Sequence, residues 1–466
     1  MKKYSMAFAF FCGAIGSCTY VYGQEHHTLK SQKTLNNLWA EVEQRYPGIA
    51  AYQYGIEAAV LQEQVVKSNA LPEVKVQLQN TYGTYAGSAG AVFPQPGFFN
   101  VSGAGMPVTG SALSVNTFGS TTVDWEVFSF GRLQAENRSA KVDTEKKRSD
   151  KEGYLIQLKK ILAERYIAVL YGELKLQWNG KNVARLAAIR EITRGLSAAG
   201  LRPAADSLLA LSSYNQARGD QAQWRGARAA EEVRLSELVD SRSIDYEAAL
   251  HKFFITDEVE GTPGNIPAPG QHPTLVGLEL EAMRYALEAD VQQRNAYPSI
   301  RLLGGYAYRG SSINPQGVVS SHWIDGFSNK TNNFLTGVGV TWNLTGGYRG
   351  KLKRKSLLQE SERVEKLHQQ YTQVLAADLR AVEVRRIQQQ EQLLQLTQGE
   401  KQALAAYDMY LARYRTGLIS LSELLQIRLL LEQAENNRLE ATYAYWRLLT
   451  DQAALTTDFT YIFNNL

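Results

Sequence analysis

Cysteine is almost absent from this sequence. Cys12 and Cys18 are the only two among 466 residues, so neither a disulfide nor thiol chemistry is expected beyond residue 18. No apolar run approaches the ~18 residues that a membrane-spanning helix needs. The formal net charge of +4 is small for this length and gives no sign of nucleic-acid binding.

The usual motifs of enzymes and metal sites are also missing. The six histidines show no metal-ligand spacing: His26, His27, His251, His272, His322 and His368. Neither His-Glu-x-x-His nor Gly-x-Ser-x-Gly occurs. The stretch 346–351 resembles a phosphate loop but has one residue too few between its glycines, and Leu352 replaces the required Ser or Thr. The sequence therefore predicts no enzymatic activity, no cofactor and no metal.

Proline is absent from the stretches that carry the strongest helical pattern. Leu357, Val364 and Tyr371 recur every seven residues among Gln, Glu, Arg and Lys. This pattern predicts one helix over 349–414, roughly 100 Å long at ~1.5 Å per residue. Immediately before it, residues 334–344 alternate between apolar and small or polar side chains, which is typical of a strand with one apolar face.

The chain contains this strand-to-helix unit twice. Residues 45–49 resemble 271–275, and residues 69–74 resemble 295–300, both at a separation of 226 residues. Residues 125–217 match the segment 217 residues further on without a gap, including Gly200-Leu201 against Gly417-Leu418. A constant separation over so long a helical stretch indicates a tandem duplication.

Each half is expected to run helix, strand, strand, long helix, turn, helix. In the first half we expect a helix over 35–69, strands around 74–78 and 123–127 with a long loop over 83–119 between them, and a last helix to about residue 238. In the second half the last helix is expected to end near residue 449. The predicted division is a leader (1–23), a first repeat (24–240), a linker (241–270), a second repeat (271–450) and a C-terminal tail (451–466).

The first 23 residues have the pattern of an export signal, with two lysines before an apolar stretch. Two processing sites are open. Small residues up to Gly23 favour cleavage there, which we prefer because apolar residues rather than a polar tether follow Cys18. The alternative is a lipoprotein site with Cys18 lipidated.

An exported chain with four one-sided strands suits an outer-membrane β-barrel. Four strands cannot close such a barrel, since the smallest have about eight, and open edges are not stable in lipid. Two or three copies must therefore contribute. The alternative is a soluble sheet packed on helices.

The order of elements in both halves resembles the outer-membrane efflux protein family, the TolC-like channels, over nearly the whole chain after the leader. The resemblance rests on Asn-Ala-x-Pro at Asn69 and Asn295, the two Gly-Leu turns, and residues 413–425. It implies a mainly α-helical protein in which three chains share a twelve-stranded barrel continued by a helical tunnel. The implied location is the outer membrane of a Gram-negative bacterium, with contact to its lipid and extension into the periplasm. The implied function is the exit duct of a tripartite efflux or secretion system, working with a periplasmic adaptor and a proton-driven or ATP-driven inner-membrane pump.

The same resemblance suggests roles at the two turns. Gly200, Leu201, Gly417 and Leu418 correspond to the tip where an adaptor docks. Asp206, Tyr414 and Glu423 correspond to positions at the constriction. From the residues alone, Ser420 and Glu423 form a capping box, which begins a helix. Two positions depart from the family pattern, because Gln426 stands where a second acid is frequent and Ile419 where a base is usual.

The competing class is a periplasmic coiled-coil adaptor or scaffold without a channel. Such a protein would carry a compact β-rich domain. Here the strands occur only in pairs between helices, which favours the channel.

Overall fold

The computed structural model of the protein describes residues 34–84, 109–110, 113–239, 246–254 and 272–466. The predicted leader, with Cys18 and Gly23, lies outside the described residues. The helices are α1 (Leu35–Arg45), α2 (Pro47–Ser68), α3 (Arg132–Ala198), α4 (Ala204–Leu235), α5 (Tyr246–Phe254), α6 (Pro273–Arg294), α7 (Gly346–Arg415), α8 (Leu421–Thr456) and α9 (Thr460–Asn465). The strands are β1 (Glu73–Thr84), β2 (Thr109–Gly110), β3 (Leu113–Phe128), β4 (Ser299–Ser311), β5 (Val318–Val319) and β6 (Thr331–Thr341).

Two very long helices dominate the fold. Helix α3 has 67 residues and α7 has 70, so each extends about 100 Å at ~1.5 Å per residue. Helix α3 packs along α4, and α7 packs along α8, which gives two antiparallel hairpins. Both long helices confirm the prediction from the proline-free pattern. Among the described residues, none of the helices combines the length and the apolarity that crossing a membrane would take.

The two halves have the same order of elements. The series α2, β1, β3, α3, α4 in the first half corresponds to α6, β4, β6, α7, α8 in the second. The strands of both halves join in one antiparallel sheet with the order β1-β3-β4-β6. In the described part of the chain, β1 and β6 form the two edges of this sheet, and their outer sides have no strand partner.

The register gives the sheet one apolar and one polar face. Val74 lies opposite Val123, Val123 opposite Gly304, and Gly304 opposite Thr336, so all four project to the same side. We call this side the apolar face; its larger members are Val74, Val76, Leu78, Val123, Trp125, Ile300, Leu302, Tyr306, Phe334, Val338 and Val340. The other side, the polar face, carries Lys75, Gln77, Gln79, Asp124, Arg301 and Arg309 among others. The alternation predicted for the four strands is confirmed.

The main core lies in the middle of the molecule rather than at the sheet. Residues 158–174 of α3 pack there against α1, α5, the second half of α8 and α9. Its largest fully buried side chains include Trp446 and Tyr166, and Phe253 of α5 stacks on Trp446 with 5.7 Å between ring centroids. A smaller apolar cluster lies near the α3–α4 and α7–α8 turns and includes Ile189, Tyr407 and Leu424.

Two predicted elements of the first half differ from the structure. The single helix expected over 35–69 breaks at Tyr46, because Pro47 forces the preceding residue into an extended conformation and then begins α2. The loop expected over 83–119 is wrong at its two ends, since residues 83–84 belong to β1, and residues 85–108 and 111–112 lie outside the described residues. Residues 113–119 belong to β3, where they pair in register with β1, and this pairing outweighs their Ser- and Gly-rich composition.

The predicted linker and tail also contain structure. Helix α5 lies within 241–270, and Phe253 is fully buried in the main core. Helix α8 continues past residue 449 to Thr456, and α9 follows it with Ile462 and Phe463 buried. Phe463 stacks on Trp39, so the last residues of the chain close the core against its first helix. These contacts are long-range and leave no periodic pattern in such short segments.

Candidate functional site at the helical tip

The α3–α4 and α7–α8 hairpins both turn at a glycine in the left-handed conformation. Gly200 has φ of 72° and Gly417 has φ of 80°. The amide of Leu201 donates to the carbonyl of Leu196, and that of Leu418 to Arg413, which is the six-residue closure of a Schellman motif. A Cβ at either glycine would meet nothing within 4 Å. The need for glycine is therefore conformational and not steric.

The leucine after each glycine lies on the surface. Leu201 is 70% exposed and Leu418 is 75% exposed. Two large aliphatic side chains at the ends of helical hairpins bury little area within the chain itself. Their exposure is consistent with a docking surface.

Tyr414 lies beneath the α7–α8 turn and is fully buried. Its hydroxyl is 2.9 Å from the Thr193 hydroxyl of α3. Since Thr193 donates its own proton to the carbonyl of Ile189, the Tyr414 hydroxyl is the donor to Thr193. This bond joins the last turn of α7 to the last turns of α3, and so connects the two hairpins.

Arg202 makes a second connection, which the sequence analysis missed. Its guanidinium lies 5.5 Å from the centre of the Tyr414 ring. It also donates to the carbonyl of Gly417 at 3.3 Å and to the carbonyl of Ile419. A cation is favoured here because both carbonyls lie in the turn just after the C-terminal end of α7, and a helix C-terminus carries partial negative charge. Ile419 itself carries no charge, and the cation at this turn comes from the turn of the other half. An arginine directly after Gly200-Leu201 was the available signal.

Glu423 caps the start of α8. Its carboxylate accepts from the Ser420 amide at 2.7 Å, and its own amide donates to the Ser420 hydroxyl at 3.2 Å. The structure thus contains the predicted capping box. The bond from the Ser420 backbone amide is the main cause that lowers the pKa of Glu423; the Ser420 hydroxyl and the charge of Arg202 act in the same direction. The side chain is exposed and therefore carries its charge at the surface of the tip.

Asp206 lies in the first turn of α4, half-buried. Pro203 takes the place that Ser420 has in the second half, and a proline offers no hydroxyl or amide proton for a capping box. In the described part of the chain the carboxylate of Asp206 has no ion-pair partner. The structure therefore places Asp206 at the tip but does not connect it to Tyr414 or Glu423.

Above the tip, charged side chains join α3 to α8. The guanidinium of Arg185 binds both carboxylate oxygens of Glu435, at 2.7 Å from Nη1 to Oε2 and 2.5 Å from Nη2 to Oε1. The indole of Trp178 donates to the same carboxylate at 2.9 Å. Arg185 also lies 5.9 Å from the ring centre of Tyr407 in α7. One side chain of the first half is therefore fixed against both helices of the second.

Lys175 is a buried cation on α3, nearly three helical turns from Arg185 toward the main core. Its ammonium binds Glu440 at 2.7 Å and also contacts Asn436. The rings of Tyr171, Trp178 and Trp224 surround it at 5.0 to 5.3 Å. Burial lowers the pKa of Lys175, and the contact with Glu440 partly offsets this. The ammonium therefore binds two acceptors of α8 from within a ring of aromatic side chains, which holds α3 against α8. Within the described residues no group of His, Cys, Asp and Glu could hold a metal ion.

A small sheet with one apolar face, continued by two helices about 100 Å long that each pair with a shorter helix, defines the class of TolC-like outer-membrane channels. The family model described as outer membrane efflux protein matches residues 38–240 and 268–457. The chain belongs to this family, which places it in the outer membrane of a Gram-negative bacterium. Members of the family are channels rather than enzymes.

Solved structures agree on the fold. The outer membrane protein VceC of Vibrio cholerae matches with a TM-score of 0.73 and 13% identity, over 91% of this chain and 96% of that one. The CmeC outer membrane channel of Campylobacter jejuni matches with a TM-score of 0.72 and 14% identity, over 95% and 90%. The outer-membrane channel OprN matches with a TM-score of 0.70 and 16% identity, over 91% and 89%. No curated protein matches the sequence of this chain.

Proposed function

We propose that three copies of this chain form the passive exit duct of a tripartite efflux or secretion system. Each copy contributes four strands to a twelve-stranded barrel in the outer membrane and two helical hairpins to a tunnel through the periplasm. A periplasmic adaptor and an inner-membrane pump deliver the transported substrate. The observation that carries the proposal is a sheet with a continuous apolar face and two edges that have no strand partner among the described residues.

In the part that the structure describes, one copy of the chain leaves the apolar face of this sheet and the edges of β1 and β6 uncovered. Residues of the apolar face such as Val76, Leu78 and Phe334 are between 78% and 84% exposed. Lipid can cover such a face, but lipid cannot accept hydrogen bonds from the open edges of β1 and β6. The edge of β6 in one copy must therefore pair with β1 of the next. The polar face then lines the lumen, where Arg301 and Asp124 form an ion pair at 2.8 Å.

The tip supplies the periplasmic contacts. Leu201 and Leu418 stand exposed at the ends of the two hairpins, where an adaptor built from helical hairpins can cover them. Beneath them, Arg202, Tyr414 and Thr193 connect the hairpins and hold the entrance narrow. Opening of the entrance requires these contacts to separate.

We expect Arg202→Ala with Tyr414→Phe to raise the conductance of the purified protein in planar bilayers several-fold. The double variant removes both the guanidinium contacts and the hydroxyl bond, so the hairpins are free to move apart. Arg194→Ala is the matched control. It removes an arginine near the same end of α3, and within the described residues this arginine has its ion pair with Glu191 of its own helix.

The two possible failures differ in form. If neither the unmodified protein nor any variant conducts ions, the proposed channel function is wrong. If all of them conduct equally, the protein is a channel, but the proposed role of Arg202 and Tyr414 at its entrance is wrong.

We expect Glu423→Gln to weaken the preference of the channel for cations. Three carboxylates around one axis attract cations and repel anions, whereas glutamine keeps the capping box without the charge. Because the folded protein lowers the pKa of Glu423, its carboxylate stays charged at pH values below 4.5, the ordinary pKa of a glutamate. The preference of the unmodified channel should thus survive to acidic pH and disappear only as pH falls through the lowered pKa. Reversal potentials in a salt gradient measure it; unchanged selectivity in the variant would leave Glu423 with the capping role alone.

A further inference from the structure

The connection from β4 to β6 contains a 3₁₀ turn, Trp323–Phe327, which we call the rim turn. It lies at the end of the sheet away from the helices, because β4 ends at Ser311 and β6 begins at Thr331. If the helices extend into the periplasm, this end of the sheet faces the cell exterior. The rim turn packs on β3 and β4.

Contacts at two points show which face the rim turn covers. A Cβ added to Gly326 would come within 2.5 Å of the Val115 side chain, so this glycine lies directly on Val115. The hydroxyl of Tyr308 donates to the carbonyl of Phe327 at 3.0 Å. Both Val115 and Tyr308 belong to the apolar face, since Tyr308 lies opposite Gly119 and alternate residues of β3 share a side. The rim turn therefore lies on the outer, apolar side of the sheet.

The rim turn exposes its apolar residues and turns its polar group inward. Trp323 is 67% exposed and Ile324 is 62% exposed, and the Trp323 ring meets Phe327 edge-on with 6.2 Å between centroids. The carboxylate of Asp325 instead accepts a hydrogen bond from the Ser320 hydroxyl at 2.6 Å. Tryptophan beside an aliphatic residue is favoured at the boundary between lipid headgroups and acyl chains.

A second copy of the chain is a poorer candidate to cover this surface. Neighbouring copies meet at the edge strands β1 and β6, whereas the rim turn lies over the central strands β3 and β4. From there the apolar face continues toward the helices through Tyr306 and Leu302. The medium that covers Tyr306 and Leu302 therefore also reaches the rim turn.

We propose that the rim turn is a lipid-binding element. Trp323 and Ile324 insert into the headgroup and upper acyl region of the outer leaflet and fix the depth of the barrel in the membrane. This inference rests on the proposed barrel, because it needs the apolar face to be in lipid.

Spin labels on single cysteines test it, since the sequence has no cysteine after residue 18. The label is placed at Ile324→Cys in the protein reconstituted in vesicles of phosphatidylethanolamine and phosphatidylglycerol. Collisions with oxygen, which concentrates in lipid, are compared with collisions with a water-soluble nickel complex. Val338→Cys on the apolar face of β6 is the control for lipid. Gln316→Cys, exposed in the same connection, is the control for water.

We expect the ratio of oxygen to nickel accessibility at 324 to approach that at 338 and to exceed that at 316 several-fold. A ratio at 324 equal to that at 316, with 338 in lipid, overturns the lipid-binding role and leaves the barrel intact. A label at 324 shielded from both reagents also overturns it, since protein then covers the turn. If the label at 338 is itself exposed to water, the proposed membrane barrel is wrong, and the test no longer concerns the rim turn alone.

Discussion

Val338→Arg is expected to prevent assembly of the protein in the outer membrane, whereas Leu335→Arg in the same strand is expected to be tolerated. Both are exposed aliphatic residues of β6, at 72% and 70%, but they project to opposite faces. Val338 lies opposite Leu302 on the apolar face, and Leu335 lies opposite Gly305 on the polar face. An arginine facing lipid near the bilayer midplane costs ~2–4 kcal/mol in each copy, whereas one facing a water-filled lumen keeps its hydration.

The measurement is the amount of each variant that is recovered as a trimer from the outer-membrane fraction after detergent extraction. The two positions are equally exposed and lie three residues apart in one strand, so the main difference between them is the face to which the side chain projects. Equal recovery of the two variants would show that the faces are assigned wrongly or that no lipid covers either. If only Leu335→Arg failed to assemble, the two faces would be assigned the wrong way round, and the face that carries Leu335 would contact lipid.

The strands and long helices could be predicted because their patterns are local and repeated. Alternation over Val74, Val76 and Leu78 fixes which side chains share a face, whatever the partner strand is. Residues 349–414 contain no proline and carry apolar residues at seven-residue spacing, and this pattern predicts the ends of α7 to within a few residues. Gly200 and Gly417 mark the turns because their φ angles are readily available only to glycine.

The cross-connections could not be predicted, because they join residues hundreds of positions apart. Arg202 belongs to the turn of one half and binds carbonyls in the turn of the other. Its position directly after Gly200-Leu201 places it in a turn, but the sequence does not show which carbonyls of the other half it reaches. For the same reason the burial of α9 against α1 was missed, since a helix of six residues has too few positions to show a period.

The largest effect among the helices is expected from Arg185→Met, which should lower the free energy of unfolding by about 3–5 kcal/mol. The side chains of Arg185 and Glu435 are only 18% and 9% exposed, so water cannot replace the lost partner. The carboxylate of Glu435 would retain only the indole of Trp178 as a hydrogen-bond donor. Chemical denaturation of the detergent-solubilised protein measures the loss. Arg194→Met, which breaks an exposed pair on one helix, should cost less than 1 kcal/mol.

The double variant Arg185→Met with Glu435→Leu separates the two causes of that loss. If the cost comes from a buried charge without a partner, removal of the charge should recover most of the stability, because two apolar side chains can fill the same space. If the double variant is no more stable than Arg185→Met alone, packing of the arginine against Tyr407 and its neighbours carries the energy instead. Recovery would mean that the ion pair specifies how α3 lies against α8 more than it stabilises the fold. That is the property the proposed channel needs, since its two hairpins would hold a fixed register while the proposed entrance below them opens.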